Sequence, residues 1–140
     1  DKIAEDYINY LADFNHLFHG TFEILDYLKE KYKLHIITNG FEEIQSKKMI
    51  NSNIYHYFDK IITSESVGVK KPNPKVFNYA LNLAEAKKEN SIMIGDNLEA
   101  DINGAINIGM RAIHCNFDES IFQPSSDLMI TSLLEIKQYL

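Results

Sequence analysis

The sequence lacks the features that stabilise exported and membrane-spanning proteins. Its 140 residues contain one cysteine, Cys115, so no disulfide can form within the chain. No apolar run approaches the roughly 18 residues that a membrane-spanning helix needs, and no basic-then-apolar leader stands at the N-terminus. These absences exclude disulfide-rich and membrane-spanning folds, and we expect a cytoplasmic protein with no membrane partner.

Basic residues are also few. The chain has 14 lysines and arginines against 20 aspartates and glutamates, which gives a formal net charge of −6. This balance argues against binding to a nucleic-acid polymer, because such binding needs a basic surface. An acidic protein that acts on an anionic substrate must therefore supply positive charge locally, through a few side chains or a metal. The hydrophobic share of 45% is sufficient for the core of one globular domain.

Short apolar runs alternate with helical patterns along the chain, and the three prolines lie in the breaks. Strands are predicted at 34–37, 58–63, 91–94, 110–115 and 128–131. Helices are predicted at 1–14, 41–50, 74–84 and 99–108, the third of them capped by Asn73. Two more helices are predicted, one that begins at a Thr21 cap and one that follows Ser132. This order is typical of an α/β fold, a Rossmann-like parallel sheet with helices on both faces, in which ligands bind at the carboxyl ends of the strands.

Thr38, Asn39 and Gly40 follow the first of these apolar strands. A hydroxyl, an amide and a flexible backbone just before a helix N-terminus suit an anion such as phosphate. An ordinary strand-to-helix turn would have the same composition, so both interpretations stay open for the tripeptide alone.

Lys71 stands directly before Pro72 and after Lys70. Proline favours an extended conformation in the residue before it, so the lysine side chain projects from a stiff loop. A lysine so placed acts as a point charge toward phosphate or carboxylate. The alternative is a solvated basic pair in front of a helix.

Asp96 ends a buried strand, and Asp101 lies about one helical turn further on. Neighbouring carboxylates repel each other unless a cation or a proton lies between them. Two such groups suit Mg²⁺, which takes few protein ligands and keeps waters and phosphate oxygens. The alternative is a helix N-cap at Asp96 and a solvated acid at Asp101.

The order of these three elements resembles the haloacid dehalogenase-like hydrolase superfamily. Ile36–Phe41 looks like the second motif of that family, Gly68–Phe77 like its third, and Met93–Ala105 like its fourth. The sequence around the motifs most resembles the branch of the family that contains pyrimidine 5'-nucleotidases and proteins described as dehalogenases. The resemblance covers about residues 22–140.

The resemblance implies a phosphate site. Thr38 would hydrogen-bond the transferring phosphoryl group, and the backbone of Asn39 and Gly40 would help to hold it. Lys71 would offset the negative charge of the phosphoryl oxygens and of the nucleophile. The implied substrate is a small phosphorylated metabolite, with nucleotides among the candidates.

The resemblance also implies Mg²⁺ as cofactor. Asp96 would bind the ion directly or through water. Asp101 would orient the water ligands of the ion without contacting the ion itself. Thr38, Lys71 and Asp96 are therefore the predicted catalytic residues.

The family's first motif is missing from the sequence. That motif is a strand ending in Asp-any-Asp, which supplies a nucleophile and a general acid, and no Asp-any-Asp occurs in the chain. We therefore expect residues 1–18 to be the remnant of a helical cap domain and 19–140 to be the hydrolase core without its central strand. That strand would lie between those ending at Thr38 and Gly95. The chain would then be a C-terminal fragment, with the missing N-terminal segment as a candidate partner chain.

The leading functional hypothesis is a Mg²⁺-dependent phosphatase that works through an aspartyl-phosphate in the complete enzyme, with this chain alone inactive. One alternative is a metal-independent 2-haloacid dehalogenase. The others are a catalytically inactive fragment and a phosphate-binding receiver-type module. The pair Asp96 and Asp101 favours the metal-dependent branch.

Overall fold

The computed structural model describes residues 5–8, for which the backbone alone is considered, and residues 20–39, 50, 53–117 and 128–140. The strands are β1 (Glu5–Ile8), β2 (Leu34–Thr38), β3 (Lys60–Thr63), β4 (Ser91–Gly95), β5 (Arg111–Cys115) and β6 (Leu128–Ile130). The α-helices are α1 (Thr21–Lys29), α2 (Ser64–Val67), α3 (Pro74–Ala84) and α4 (Gly104–Asn107). Short 3₁₀ helices cover Tyr55–Tyr57, Lys88–Asn90 and Leu133–Gln138, and a π-helix covers Leu98–Asn103.

The described strands form one sheet in the order β3-β2-β1-β4-β5-β6, and every neighbouring pair is parallel. The chain order crosses over at the centre, since β1 lies between β2 and β4. This arrangement confirms the predicted α/β class with a parallel sheet. No helix in the described part of the chain is long and apolar enough to cross a bilayer.

The centre of the sheet differs from the prediction. A strand was expected to be missing between β2 and β4, but Glu5–Ile8 fills that position and pairs with both neighbours. The helix predicted for 1–14 is therefore wrong at these four residues. The physical reason is that the backbone groups of β2 and β4 need partners, and this need outweighs a helical spacing of side chains. The division into a cap remnant at 1–18 and a hydrolase core at 19–140 stays a prediction.

The sequence of β1 is nevertheless not that of the family's first motif. Asn9 follows Ile8, and the chain contains no Asp-any-Asp. The sheet thus has a central strand, but that strand lacks the Asp-any-Asp that the resemblance implies.

Both faces of the sheet are buried, because successive side chains along a strand point to opposite faces. One face packs against α1 and the last 3₁₀ helix, and the other packs against α3 and the π-helix. Ile36 and Ile37 illustrate this division, since each is fully buried on a different face. Burial of one such side chain contributes about 1.5–3 kcal/mol to the stability of the folded state. The two layers hold the strand ends, and hence the site, in fixed positions.

Several helix boundaries follow local sequence signals. The Asn73 side chain accepts a hydrogen bond from the Lys75 N–H at 2.9 Å, and Pro74 is the first residue of α3, as predicted. Gly109 has a left-handed φ of 91° just past the end of α4, a conformation that glycine commonly adopts at helix C-termini.

Other boundaries differ. The cap of α1 is Gly20 with φ 84°, not Thr21, which is the helix's first residue. The helix predicted at 99–108 begins as a π-helix, in which the Ile102 N–H donates to the Asn97 carbonyl five positions back. The Ser132–Glu135 capping box is present, but the helix that it starts is 3₁₀. The helix predicted at 41–50 and the loop glycine Gly40 lie almost wholly outside the described residues.

Candidate active site

The polar residues predicted from the motifs meet at the carboxyl edge of the sheet. β2 ends at Thr38 and β4 ends at Gly95, and the loop before α3 brings Lys71 to the same edge. Thr38 is buried and pairs with Thr63 of β3. The sheet therefore fixes the base of the site, and two loops supply its charged groups.

Lys71 is a buried cation with defined contacts. Its side chain is 2% exposed, and its Nζ donates to Asp101 Oδ1 at 2.6 Å and to the Ile37 carbonyl at 3.1 Å. A buried ammonium is tolerated only when it is paired and hydrogen-bonded, and these two acceptors meet that requirement. The alternative interpretation of Lys71 as a solvated charge is thus excluded by its burial.

Asp101 is fully buried beside β4. Its Oδ1 accepts from Lys71, and its Oδ2 accepts from the Asn97 N–H at 3.1 Å. Gly95 makes room for it, because a Cβ at that position would lie 2.5 Å from Asp101 Oδ2. The interpretation of Asp101 as a solvated acid is therefore wrong, and both of its oxygens have protein partners.

Asp96 lies next to Gly95 at the end of β4 and is half-buried. The N-cap of the π-helix is the next residue, Asn97, whose Oδ1 accepts from the Ala100 N–H at 2.8 Å. The residue that caps the π-helix is therefore Asn97, and the interpretation of Asp96 as the cap is wrong. Asp96 is close enough to Lys71 for its charge to act on the lysine's pKa.

The charges of the site act on one another. Burial lowers the pKa of the Lys71 ammonium below its usual range, while the attraction of Asp101 and then of Asp96 acts in the opposite direction. Burial also raises the pKa of the Cys115 thiol, and the negative charges of Asp96 and Asp101 add to that effect. The reactive thiolate is thus disfavoured, which makes Cys115 a packing residue and not a nucleophile.

The structure brings together five of the six predicted site residues: Thr38, Asn39, Lys71, Asp96 and Asp101. The sixth, Gly40, lies outside the described residues. Asn39 was predicted to act through its backbone, but its side chain contacts the backbone of Lys71. Among the residues that the structure describes, no three histidine, cysteine, aspartate or glutamate side chains form a cluster that could hold a metal ion.

Three participants were not predicted from the sequence: the Ile37 carbonyl, Gly95 as the space for Asp101, and Asn97 as a cap. The glycine was recognisable, since it directly precedes Asp96 in the fourth motif. Nothing in the sequence around Ile37 or Asn97 indicates that the Ile37 carbonyl or the Asn97 cap takes part in this site.

A parallel α/β sheet with a buried lysine and two carboxylates at its carboxyl edge defines a Rossmann-like domain. The family model for haloacid dehalogenase-like hydrolases matches residues 1–115. The chain belongs to this family of hydrolases.

Two curated relatives and one solved structure illustrate the similarity. The chain is 37% identical over 116 residues to the pyrimidine 5'-nucleotidase YjjG of Escherichia coli, covering 82% of this chain and 52% of that protein. It is 41% identical over 96 residues to a glyceraldehyde 3-phosphate phosphatase of Methanothermobacter thermautotrophicus, covering 69% and 42%. The magnesium-bound structure of the HAD-hydrolase YfnB of Bacillus subtilis superposes with a TM-score of 0.83 at 30% identity, covering 88% of this chain and 55% of that one. The chain spans about half the length of the curated relatives it matches.

Proposed function

We propose that the protein is a Mg²⁺-dependent phosphate monoester hydrolase that acts on a small phosphorylated metabolite. The observation that carries the proposal is the buried Lys71 ammonium, held at the carboxyl edge between Asp101 Oδ1 and the Ile37 carbonyl. A fixed positive charge in a site shielded from water stabilises an oxyanion far more than a solvated lysine does. Relatives named for a nucleotide and for a sugar phosphate support this substrate class.

Each described residue has a defined task in this proposal. The Thr38 hydroxyl, with the backbone that follows it, binds the phosphoryl oxygens. Lys71 offsets the charge that develops on these oxygens and on the nucleophile. Asp101 keeps the ammonium in place, because it contacts Lys71 Nζ at 2.6 Å while the backbone of Asn97 holds its second oxygen.

The residues present fit Mg²⁺ with one protein ligand supplied here. Asp96 is the candidate ligand, because it directly follows β4 at the carboxyl edge of the sheet, and a carboxylate is the ligand that Mg²⁺ prefers. Asp101 acts from one shell further out, since both of its oxygens already have partners. When bound, the ion supplies additional positive charge to the phosphoryl oxygens.

The nucleophile is an aspartate outside this chain, and the reaction passes through an aspartyl-phosphate in the complete enzyme. What supports this step is that the sequence contains three of the family's motifs but no Asp-any-Asp. We therefore expect the 140-residue chain alone to be inactive.

The test is hydrolysis of p-nitrophenyl phosphate by the full-length gene product and by this chain. We expect activity in the former that is lost with a chelator and restored by Mg²⁺. Lys71→Met should lower kcat/KM by about 10²–10³-fold, the range for loss of one oxyanion-stabilising group. The matched control is Lys70→Met, because Lys70 is the adjacent, exposed lysine. Release of halide from a 2-haloacid without metal would instead identify a dehalogenase.

A further inference from the structure

The side chain of Asn39 contacts the backbone of Lys71 at two points. Asn39 Oδ1 accepts from the Lys71 N–H at 2.9 Å, and Asn39 Nδ2 donates to the Lys71 carbonyl at 3.4 Å. The amide thus pairs with one residue as a neighbouring strand would, and it joins the end of β2 to the loop before α3. Neither contact involves the lysine side chain, which is held separately by Asp101 and the Ile37 carbonyl.

Asn39 is itself held from its other side. The Ser64 hydroxyl donates to the Asn39 carbonyl at 3.2 Å. Ser64 begins α2, whose first turn is fixed by a capping box between Thr63 and Ser66, with the Ser66 N–H donating to Thr63 Oγ1 at 3.1 Å. The backbone of Asn39 is therefore joined to the start of α2 as well as to β2.

We propose that Asn39 is a positioning residue that fixes the Lys71 backbone and thereby the location of the Lys71 ammonium. The lysine stem has four rotatable carbons, so contacts at its ammonium end alone do not define where the chain must enter. Two hydrogen bonds to the backbone fix the other end. The inference deepens the proposed function, because it assigns the Asn39 side chain to Lys71 and not to the substrate.

The first test measures the ammonium without any reaction. In protein labelled with ¹⁵N-lysine, the buried and paired Lys71 Nζ should give a slowly exchanging NMR signal, assigned by its loss in Lys71→Met. Asn39→Ala should speed exchange of these protons with water about tenfold, the factor that corresponds to loss of one or two ordinary hydrogen bonds. Asn39→Asp keeps the acceptor for the Lys71 N–H and should give a smaller increase.

The matched control is Asn73→Ala, which removes a side-chain bond to the backbone in the same loop without touching Lys71. It should leave the Lys71 signal unchanged. An unchanged Lys71 signal in either folded Asn39 variant would overturn the proposal, and so would an equal change in Asn73→Ala. Asn39→Asp retains the size of the side chain and the acceptor for the Lys71 N–H, so the test survives if Asn39→Ala does not fold.

The second test is a double-mutant cycle in the full-length gene product. Asn39→Ala should lower kcat/KM about tenfold in the wild-type background and have no further effect in the Lys71→Met background. An equal loss in both backgrounds would mean a role independent of Lys71 and would contradict the proposal. Absence of phosphatase activity in the wild-type enzyme would refute the proposed function alone, since the NMR measurement stands without it.

Discussion

The two edges of the sheet carry the same types of charged residue in opposite surroundings. At the carboxyl edge, Lys71 and Asp101 have side chains 2% and 0% exposed and meet at 2.6 Å. At the amino edge, an open cavity of about 410 Å³ is lined in part by Lys29, Lys33 and Tyr57. There Lys29 lies 3.7 Å from Asp26, with side chains 47% and 58% exposed, and 5.2 Å from the centre of the Tyr57 ring.

The difference shows what burial does to an ion pair. The exposed pair is screened by water and contributes little, because two long side chains lose entropy for a weak attraction. The buried pair fixes a charge at one point, and removing either partner leaves the other without compensation. We expect only the carboxyl edge to respond strongly to single substitutions.

The largest effect should come from breaking the buried pair. Asp101→Ala leaves the Lys71 ammonium buried without its carboxylate, and we expect a loss of about 3–5 kcal/mol in the free energy of unfolding. Urea unfolding monitored by circular dichroism measures it. The double variant Lys71→Met/Asp101→Leu should recover most of the loss. Solvated ion pairs contribute about 0–1 kcal/mol to the free energy of unfolding. If Asp101→Ala lowered this free energy by less than about 1 kcal/mol, the buried pair would behave like the exposed pair at the amino edge.

A smaller effect is expected from Gly95→Ala. The added Cβ would meet Asp101 Oδ2 at 2.5 Å, so the carboxylate must move, with a loss of about 1–3 kcal/mol in the free energy of unfolding. Chemical denaturation provides the measurement. In the Asp101→Gly background, which also removes the Asp101 Cβ that would lie 2.7 Å from the added methyl group, the same substitution should be nearly neutral. Equal losses in the two backgrounds would contradict the role of Gly95 as space for Asp101.

At the amino edge, Tyr57→Phe should change stability by less than about 1 kcal/mol. The Tyr57 hydroxyl donates to Asp26 Oδ1 at 2.7 Å, and this hydrogen bond, with burial and the Asp26 charge adding, raises the pKa of Tyr57 from 10.0 to about 12. The folded state therefore holds the phenol proton more tightly. This contribution to stability is complete below pH 10.0 and is lost as the pH rises through about 12.

Spectrophotometric titration of tyrosine ionisation tests this point. In Asp26→Asn, the high-pH component assigned to Tyr57 should move toward the ordinary tyrosine value. A titration identical to wild type would show that Asp26 does not control this hydroxyl.

The smallest effect is expected at Lys137, which meets Glu23 at 2.6 Å with side chains 38% and 57% exposed. Lys137→Ala should lower the free energy of unfolding by no more than about 0.5 kcal/mol, and high salt should remove even that difference. Thermal unfolding at two salt concentrations measures it. A larger, salt-independent loss would mean that an exposed pair behaves like the buried one.

The sequence predicts the parts of the fold that depend on local signals. β2 and β4 are short, mostly apolar runs that end in polar turns, so their positions follow largely from hydrophobicity. The start of α3 follows from an asparagine cap and a proline at its first position. The convergence of Thr38, Lys71 and Asp96 follows from the rule that parallel strands share a carboxyl edge.

The remaining features depend on contacts between distant segments. β1 is a strand because two other strands need a partner, and no pattern within Glu5–Ile8 alone indicates this. The side-chain contact from Asn39 to Lys71 joins two loops that are far apart in sequence. Local propensity contains no information on either pairing, so these features required the three-dimensional structure.

The central position of β1 also governs how the sheet can assemble. Its partners are β2 and, much further along the chain, β4, with Glu5 aligned to Ser91. Because loop closure must precede such pairing, topologies with many long-range contacts fold slowly, in milliseconds to seconds where local ones take microseconds. The β2–β3 and β4–β5–β6 pairings involve shorter closures and can form first. We therefore expect the insertion of β1 to be the last and rate-limiting step of folding, with late amide protection in β1.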